Sequence, residues 1–224
     1  MGHGALGGNT TGENNAALGY GALESNTTGS YNSAFGVSAL QVSTTASYNS
    51  AFGHKALWKI TTGSSNTAVG RQCLENVTTA KENVGMGVSC YQMVTTGHSN
   101  VGMGVSAGCS ITTGSYNTIL GNQAGRNSTT GSYNILIGHD AGEHLDTGTY
   151  NVAIGPYAMD CASGCSGSNN VATGRNALYA NTTGAQNTAV GANALDANTT
   201  GANNVAVGYN ALTANTTASG ITAV

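Results

Sequence analysis

Residues 187–203 read NTAVGANALDANTTGAN, and residues 204–220 read NVAVGYNALTANTTASG. The second segment restates the first 17 residues later. Outward from this pair, the same unit recurs along the chain. With the leading Asn as position 1, that residue falls at Asn15, Asn32, Asn49, Asn66, Asn83, Asn100, Asn117, Asn134, Asn151, Asn170, Asn187 and Asn204. Every step is 17 residues except one of 19, from Asn151 to Asn170. Position 5 is Gly from Gly2 to Gly208, position 8 is mostly Ala, position 9 is usually Leu, and positions 13 and 14 are usually Thr-Thr.

A fixed short period signals a repeat architecture. Seventeen residues are too few for paired helices but suit one coil of a parallel β-solenoid, with two or three short strands joined by tight corners. Thr and Val favour strands, while Asn and Gly favour corners. The reading is therefore an all-β parallel solenoid of about thirteen coils, forming one domain over 1–224 with a two-residue insertion near 160–168. Coils stacked at one strand spacing, about 4.8 Å, make a rod of roughly 60 Å. Identical residues then form ladders, and the Asn32, Asn49, Asn66, Asn83, Asn100, Asn117, Asn134 and Asn151 amides are expected to bond up the stack.

Composition supports a narrow repetitive body over a conventional core. The 224 residues include 34 Gly, one Trp and two Phe, and few large side chains are available for burial. Six Lys/Arg against nine Asp/Glu give a formal charge of −3, which is no basic field for a nucleic acid. No run of apolar residues is long enough to span a membrane, and no signal-peptide pattern is present.

Two positions trade volume. Position 3 swells to Ile119 and Leu136 where position 9 shrinks to Gly125 and Gly142, and the trade reverses at Gly85 and Tyr91. Positions 3 and 9 are thus expected to share one packed space. Gly102 and Gly108, both small, break the pattern. If position 3 points inward, strand alternation turns position 4 outward. Yet position 4 is apolar at Leu18, Phe35, Phe52, Val69, Met86, Met103, Leu120, Ile137, Ile154, Val190 and Val207, with Thr173 the departure. Such a stripe is too large to leave exposed on a monomer, so lateral association through it is expected. The competing reading turns position 4 inward in a monomer.

Several motifs dissolve into the repeat. Gly104-Val105-Ser106-Ala107-Gly108 has the form of a nucleophile elbow, but Gly36-Val37-Ser38-Ala39-Leu40 is the same unit elsewhere. Gly2-His3-Gly4-Ala5-Leu6-Gly7 matches a dinucleotide fingerprint without its strand–helix context. No catalytic residue, cofactor site or metal site is assigned. His139, Asp140, Glu143, His144 and Asp146 are the one concentration of ionisable groups, read as a solvated turn with metal binding as the alternative. Cys73 and Cys90, both at position 8, are read as buried thiols. Cys161 and Cys165 flank the insertion and are candidates for a small loop disulfide. Sequons begin at Asn9, Asn26, Asn76, Asn127, Asn181, Asn198 and Asn215, and are either a row of N-glycosylation sites or plain corner residues. Tyr31, Tyr48, Tyr116, Tyr133 and Tyr150 share position 17, as a structural ladder or as a platform for sugars.

The units "NTAVGRQCLENVTTAKE" (66–82), 187–203 and 204–220 resemble repeats of phage and viral tail-fibre proteins. The core N-x-A-V-G is also similar to the head repeat of trimeric autotransporter adhesins, whose heads are trimers of left-handed β-rolls. The resemblance implies a left-handed coil, a homotrimer, and a non-enzymatic structural or adhesive fibre at a virion or cell surface, with a glycan or receptor as its target. The 17-residue period exceeds the adhesin unit by about the Thr-Thr-Gly turn. Two rivals stand beside this reading. The first is a self-stacking extracellular filament subunit, suggested because Gly2 opens at position 5 and Val224 closes at position 4. The second is an ice-binding solenoid built on the Thr rows.

Overall fold

The computed structural model describes residues 2–162 and 164–224. The chain is an all-β parallel solenoid. Its packing divides into two compact units, Met1–Thr113 and Gly114–Val224. The first carries β1 (Ala16–Leu18), β2 (Ser33–Phe35), β3 (Ser50–Phe52), β4 (Thr67–Val69), β5 (Val84–Met86) and β6 (Val101–Met103). The second carries β7 (Thr118–Leu120), β8 (Ile135–Ile137), β9 (Val152–Ile154), β10 (Val171–Thr173), β11 (Thr188–Val190), β12 (Val205–Val207) and β13 (Thr222–Ala223).

Each coil supplies one strand, at positions 2 to 4, where the sequence suggested two or three. The other sides of the coil are turn segments, which also bond to neighbouring coils. Leu23 N–H donates to Ala39 O at 3.0 Å, and Thr27 N–H to Thr44 O at 2.9 Å. Within each unit, sequential strands pair in parallel with no register slip: Ser33, Ala34 and Phe35 face Ser50, Ala51 and Phe52. The insertion leaves β9 and β10 in the same register, with Ala153 opposite Ala172. The two extra residues are absorbed at the corner, where Cys161 and Cys165 form a disulfide with Cα atoms 6.4 Å apart.

Positions 1, 3, 8, 9, 12 and 15 point inward. In the coil from Asn49 these are Asn49, Ala51, Ala56, Leu57, Ile60 and Gly63, all buried. The position 1 Asn closes the coil. Asn83 Nδ2 donates to Gly97 O at 2.9 Å across the coil and to Asn66 Oδ1 at 3.1 Å below it. Asn83 Oδ1 accepts the Asn100 backbone N–H and side-chain amide, each at 3.0 Å. Asp lacks the donor and a longer Gln would not fit the spacing, so the interior selects Asn. The second unit repeats the bonding from Asn134 to Asn204.

The corners need backbone that most residues avoid. Position 5 has φ near the 138° of Gly53, and a Cβ there would lie 2.5 Å from Gly70 O. Only Gly meets both demands. Positions 7, 9 and 17 are left-handed in non-Gly residues, as at Ser38 (φ 56°), Leu40 (φ 52°) and Tyr48 (φ 61°).

Positions 3 and 9 do share space, and the sharing also runs between coils. Tyr91 lies under the next coil's Gly102, where a Cβ would come within 2.5 Å of Tyr91 Cε2 and 2.8 Å of Cys90 Sγ. The Tyr91 hydroxyl donates to Val101 O at 3.1 Å. This explains why Gly102 is small although its own coil has Gly108 at position 9. In the second unit, a Cβ on Gly125 would lie 2.9 Å from both Ile119 Cδ1 and Leu136 Cδ1.

Candidate interaction face

Strand alternation sends positions 2 and 4 outward, opposite the small position 3 residues. In β2 and β3, Ala34 and Ala51 are fully buried while Phe35 and Phe52 are exposed. The two phenyl rings stack with centroids 5.0 Å apart. In β5 and β6 both outward positions are exposed and apolar: Val84 with Met86, and Val101 with Met103. Leu18 in β1 is 55% exposed, and Val69 in β4 is half-buried. In the second unit, Ile135, Ile154, Val171, Val190 and Val207 are exposed, while Leu120 and Ile137 are half-buried. Thr173 is the polar member of the position 4 row and is half-buried.

The face carries no charge. None of the 15 charged residues stands at position 2 or 4 of any strand. Its position 6 border is mixed, with apolar Val37, Val88 and Val105 among polar and aromatic residues. Position 6 holds Tyr20, Val37, His54 and Arg71 in the first unit, and His139 and Arg175 in the second.

The remaining sequence candidates sit elsewhere. Tyr31 and Tyr48 stack at 5.0 Å, and Tyr116, Tyr133 and Tyr150 stack at 4.8 Å per step. These rings are about half exposed at a left-handed corner. The position 13 Thr hydroxyls are used within the fold: Thr27 Oγ1 donates to Thr44 O at 3.0 Å and Thr182 Oγ1 to Thr199 O at 3.0 Å. Only position 14 presents an exposed Thr row, for example Thr28, Thr45 and Thr62.

The sequons divide by position. Asn26, Asn181 and Asn198 at position 12 are buried. Their amides form an inward ladder of their own: Asn26 Nδ2 donates to Asn9 Oδ1 at 2.7 Å, Asn198 Nδ2 to Asn181 Oδ1 at 2.9 Å, and Asn215 Nδ2 to Asn198 Oδ1 at 3.1 Å. Asn9 Nδ2 donates to Gly12 O at 3.0 Å. A glycan at Asn26, Asn181 or Asn198 would require its amide nitrogen to leave the interior, so these three are core residues and not acceptor sites. Asn76 and Asn127 fall one position earlier and are half-buried.

Cys73 and Cys90 are free and buried. Its hydrogen bond with the adjacent Cys90, and then burial, push the Cys73 thiol well above its ordinary range. The Cys109 thiol is half-buried and donates to Gln92 Oε1 at 3.8 Å. Ser106, the residue of the apparent nucleophile elbow, occupies a left-handed corner and its N–H donates to Val88 O at 2.9 Å. His3 stacks on Tyr20 at 5.5 Å. Among the ionisable residues of 139–146, His139 Nδ1 meets Asp140 Oδ2 at 2.8 Å, and Arg126 meets Glu143 at 3.7 Å. No pocket opens among the described residues, and no helix there is long and apolar enough to cross a membrane.

Sequence reasoning missed the inward ladder at position 12. Its signal was available: between Asn26 and Asn181, position 12 is mostly apolar, as at Ile60, Val77 and Val94, which marks a core position. In comparisons with known proteins, no family model, no curated protein and no solved structure matches this chain. The class the fold and the face define is a parallel β-solenoid whose outward strand face is uncharged and mostly apolar at position 4 in each unit.

Proposed function

We propose that the chain is a non-enzymatic structural component of a surface fibre, and that its strand face binds further copies of itself. The observation that carries this reading is the outward row of Leu18, Phe35, Phe52, Met86 and Met103 in the first unit, continued in kind by Ile154, Val190 and Val207 in the second, with no charge among the outward strand positions. A soluble monomer rarely leaves so much contiguous apolar surface in water. Sheets usually blunt such faces and edges with charge, and this one does not. A second copy offers the same flat, regular face with matching ladders, which suits a symmetric contact. The homotrimer implied by the resemblance to tail-fibre and adhesin repeats is the assembly we favour, exposed extracellularly or on a virion or cell surface. The Tyr rows and Thr rows then lie on other sides of each coil, where a glycan or receptor would have access.

Negative-stain imaging of the full chain tests the reading. Uniform fibres or multimeric particles that disperse in Phe35→Asp and Phe52→Asp variants would support it, because each substitution puts an unpaired charge into an apolar contact. Isolated single-chain particles, unchanged in both variants, would refute it.

A further inference from the structure

We propose that Glu143, His144 and Asp160 form a binding site for a divalent transition-metal ion. The three side chains come from two coils brought together at the corner that holds the insertion. One ligand atom from each lies within 4.8 Å of the others. His144 Nδ1 and Asp160 Oδ1 are 3.1 Å apart. Two ligands of a tetrahedral Zn²⁺, each about 2.0–2.2 Å from the ion, stand roughly 3.3 Å apart, so this pair is already at coordinating separation. One imidazole with two carboxylates suits Zn²⁺, Co²⁺ or Mn²⁺ better than the all-oxygen sets of Ca²⁺ and Mg²⁺.

A further observation points to a cation here. Asp160 is 8% exposed, so its carboxylate is held almost out of water beside His144. Asp140 is also 8% exposed, and its Oδ1 is buried with no hydrogen-bond partner. Four of the chain's nine acidic residues thus fall between 140 and 160, faced by Arg126, whose side chain is 47% exposed and which touches only Glu143 of the three ligands at 3.7 Å. A bound ion would supply the missing positive charge and displace Arg126 toward solvent.

The local architecture holds the ligands. Cys165 N–H donates to the His144 carbonyl at 3.1 Å, and the Cys161–Cys165 disulfide closes the loop directly after Asp160. Among the described residues the site occurs once, where the period departs from 17 residues. It lies on position 10 and 11 side chains, away from the strand face, and the proposal is independent of self-association.

Titration of the intact, oxidised chain with Co²⁺, followed by visible absorption, and then competition with Zn²⁺, tests the site. The expected result is saturation at one Co²⁺ per chain, displacement by Zn²⁺, and a higher melting temperature with Zn²⁺ bound. His144→Ala and Glu143→Gln should each weaken binding by more than about tenfold, while His139→Ala leaves it unchanged. Circular dichroism establishes that the variants keep the β fold. Absence of saturable binding by the wild type, or binding retained in both His144→Ala and Glu143→Gln, would overturn the proposal.

Discussion

At the scale of single residues, the interior is governed by the two-sided chemistry of Asn. The Asn83 amide joins two neighbouring coils and closes its own. Asn83→Ala leaves the Gly97 carbonyl and the Asn100 N–H unpartnered in the interior, and should cost about 2–4 kcal/mol, read from denaturant midpoints. The shorter ladder at position 12 allows the opposite experiment. Asn26 Oδ1 and Ser43 Oγ are both buried without partners in adjacent coils. Ser43→Asn should extend the Asn9–Asn26 ladder by one step, as Asn215 does above Asn198, and raise stability by about 1 kcal/mol. A lower melting temperature would show that the Ala46 corner has no room for the amide. Asp160 sets a pH dependence. Its folded carboxyl sits above the ordinary 3.8, from burial first and from Glu143 and Asp140 next, with His144 acting against them. The unfolded chain therefore loses this proton first, so this group's contribution to stability falls as pH rises through the acid range and stays low above it. Without metal, Asp160→Asn should melt higher than wild type at neutral pH, and the two should converge in acid. With Zn²⁺ present, only the wild type should gain stability.

At the scale of the coil, periodicity exposed most of the design, because a ladder repeats each requirement in every coil. The Gly at position 5 and the alternation of small position 3 against apolar position 4 were readable from Ala51, Phe52 and Gly53 alone. The three left-handed corners were not inferred, although no Val, Ile or Thr stands at positions 7, 9 or 17 in any coil, as β-branching would forbid there. The single strand per coil was also hidden, since backbone bonds between coils persist where the chain turns. The exchange of volume between positions 3 and 9 was visible within a coil, but its diagonal component needed the placement of Tyr91 beneath Gly102. That placement makes a prediction about coupling. Gly102→Ala should destabilise the chain by about 1–3 kcal/mol through contact with Tyr91 and Cys90. The same substitution combined with Cys90→Ala and Tyr91→Leu recreates the Ala-Leu-Ala pattern of Ala56, Leu57 and Ala68, and should be nearly neutral. A thermodynamic cycle measures this non-additivity, and strictly additive losses would contradict the packing described.

At the scale of the whole molecule, stability and the proposed assembly draw on different faces of the same coil. Inward ladders hold each unit together, while the outward strand positions contribute apolar area that one chain alone leaves wet. The fold class was legible in the sequence because a 17-residue period constrains the chain so strongly. The corner around Asp160 was only half legible: the ionisable residues of 139–146 were evident, but their convergence with Asp160 depends on a disulfide-closed insertion that breaks the period. The claim that matters most is that the uncharged strand face binds another copy. Its most direct test is the absolute mass of the full chain in solution, by light scattering during size-exclusion chromatography, for the wild type and a Phe52→Asp variant. The account predicts a mass three times the 22.2 kDa of one chain for the wild type, and 22.2 kDa with unchanged circular dichroism for the variant. A wild type that elutes as a folded single chain across the accessible concentration range would contradict it.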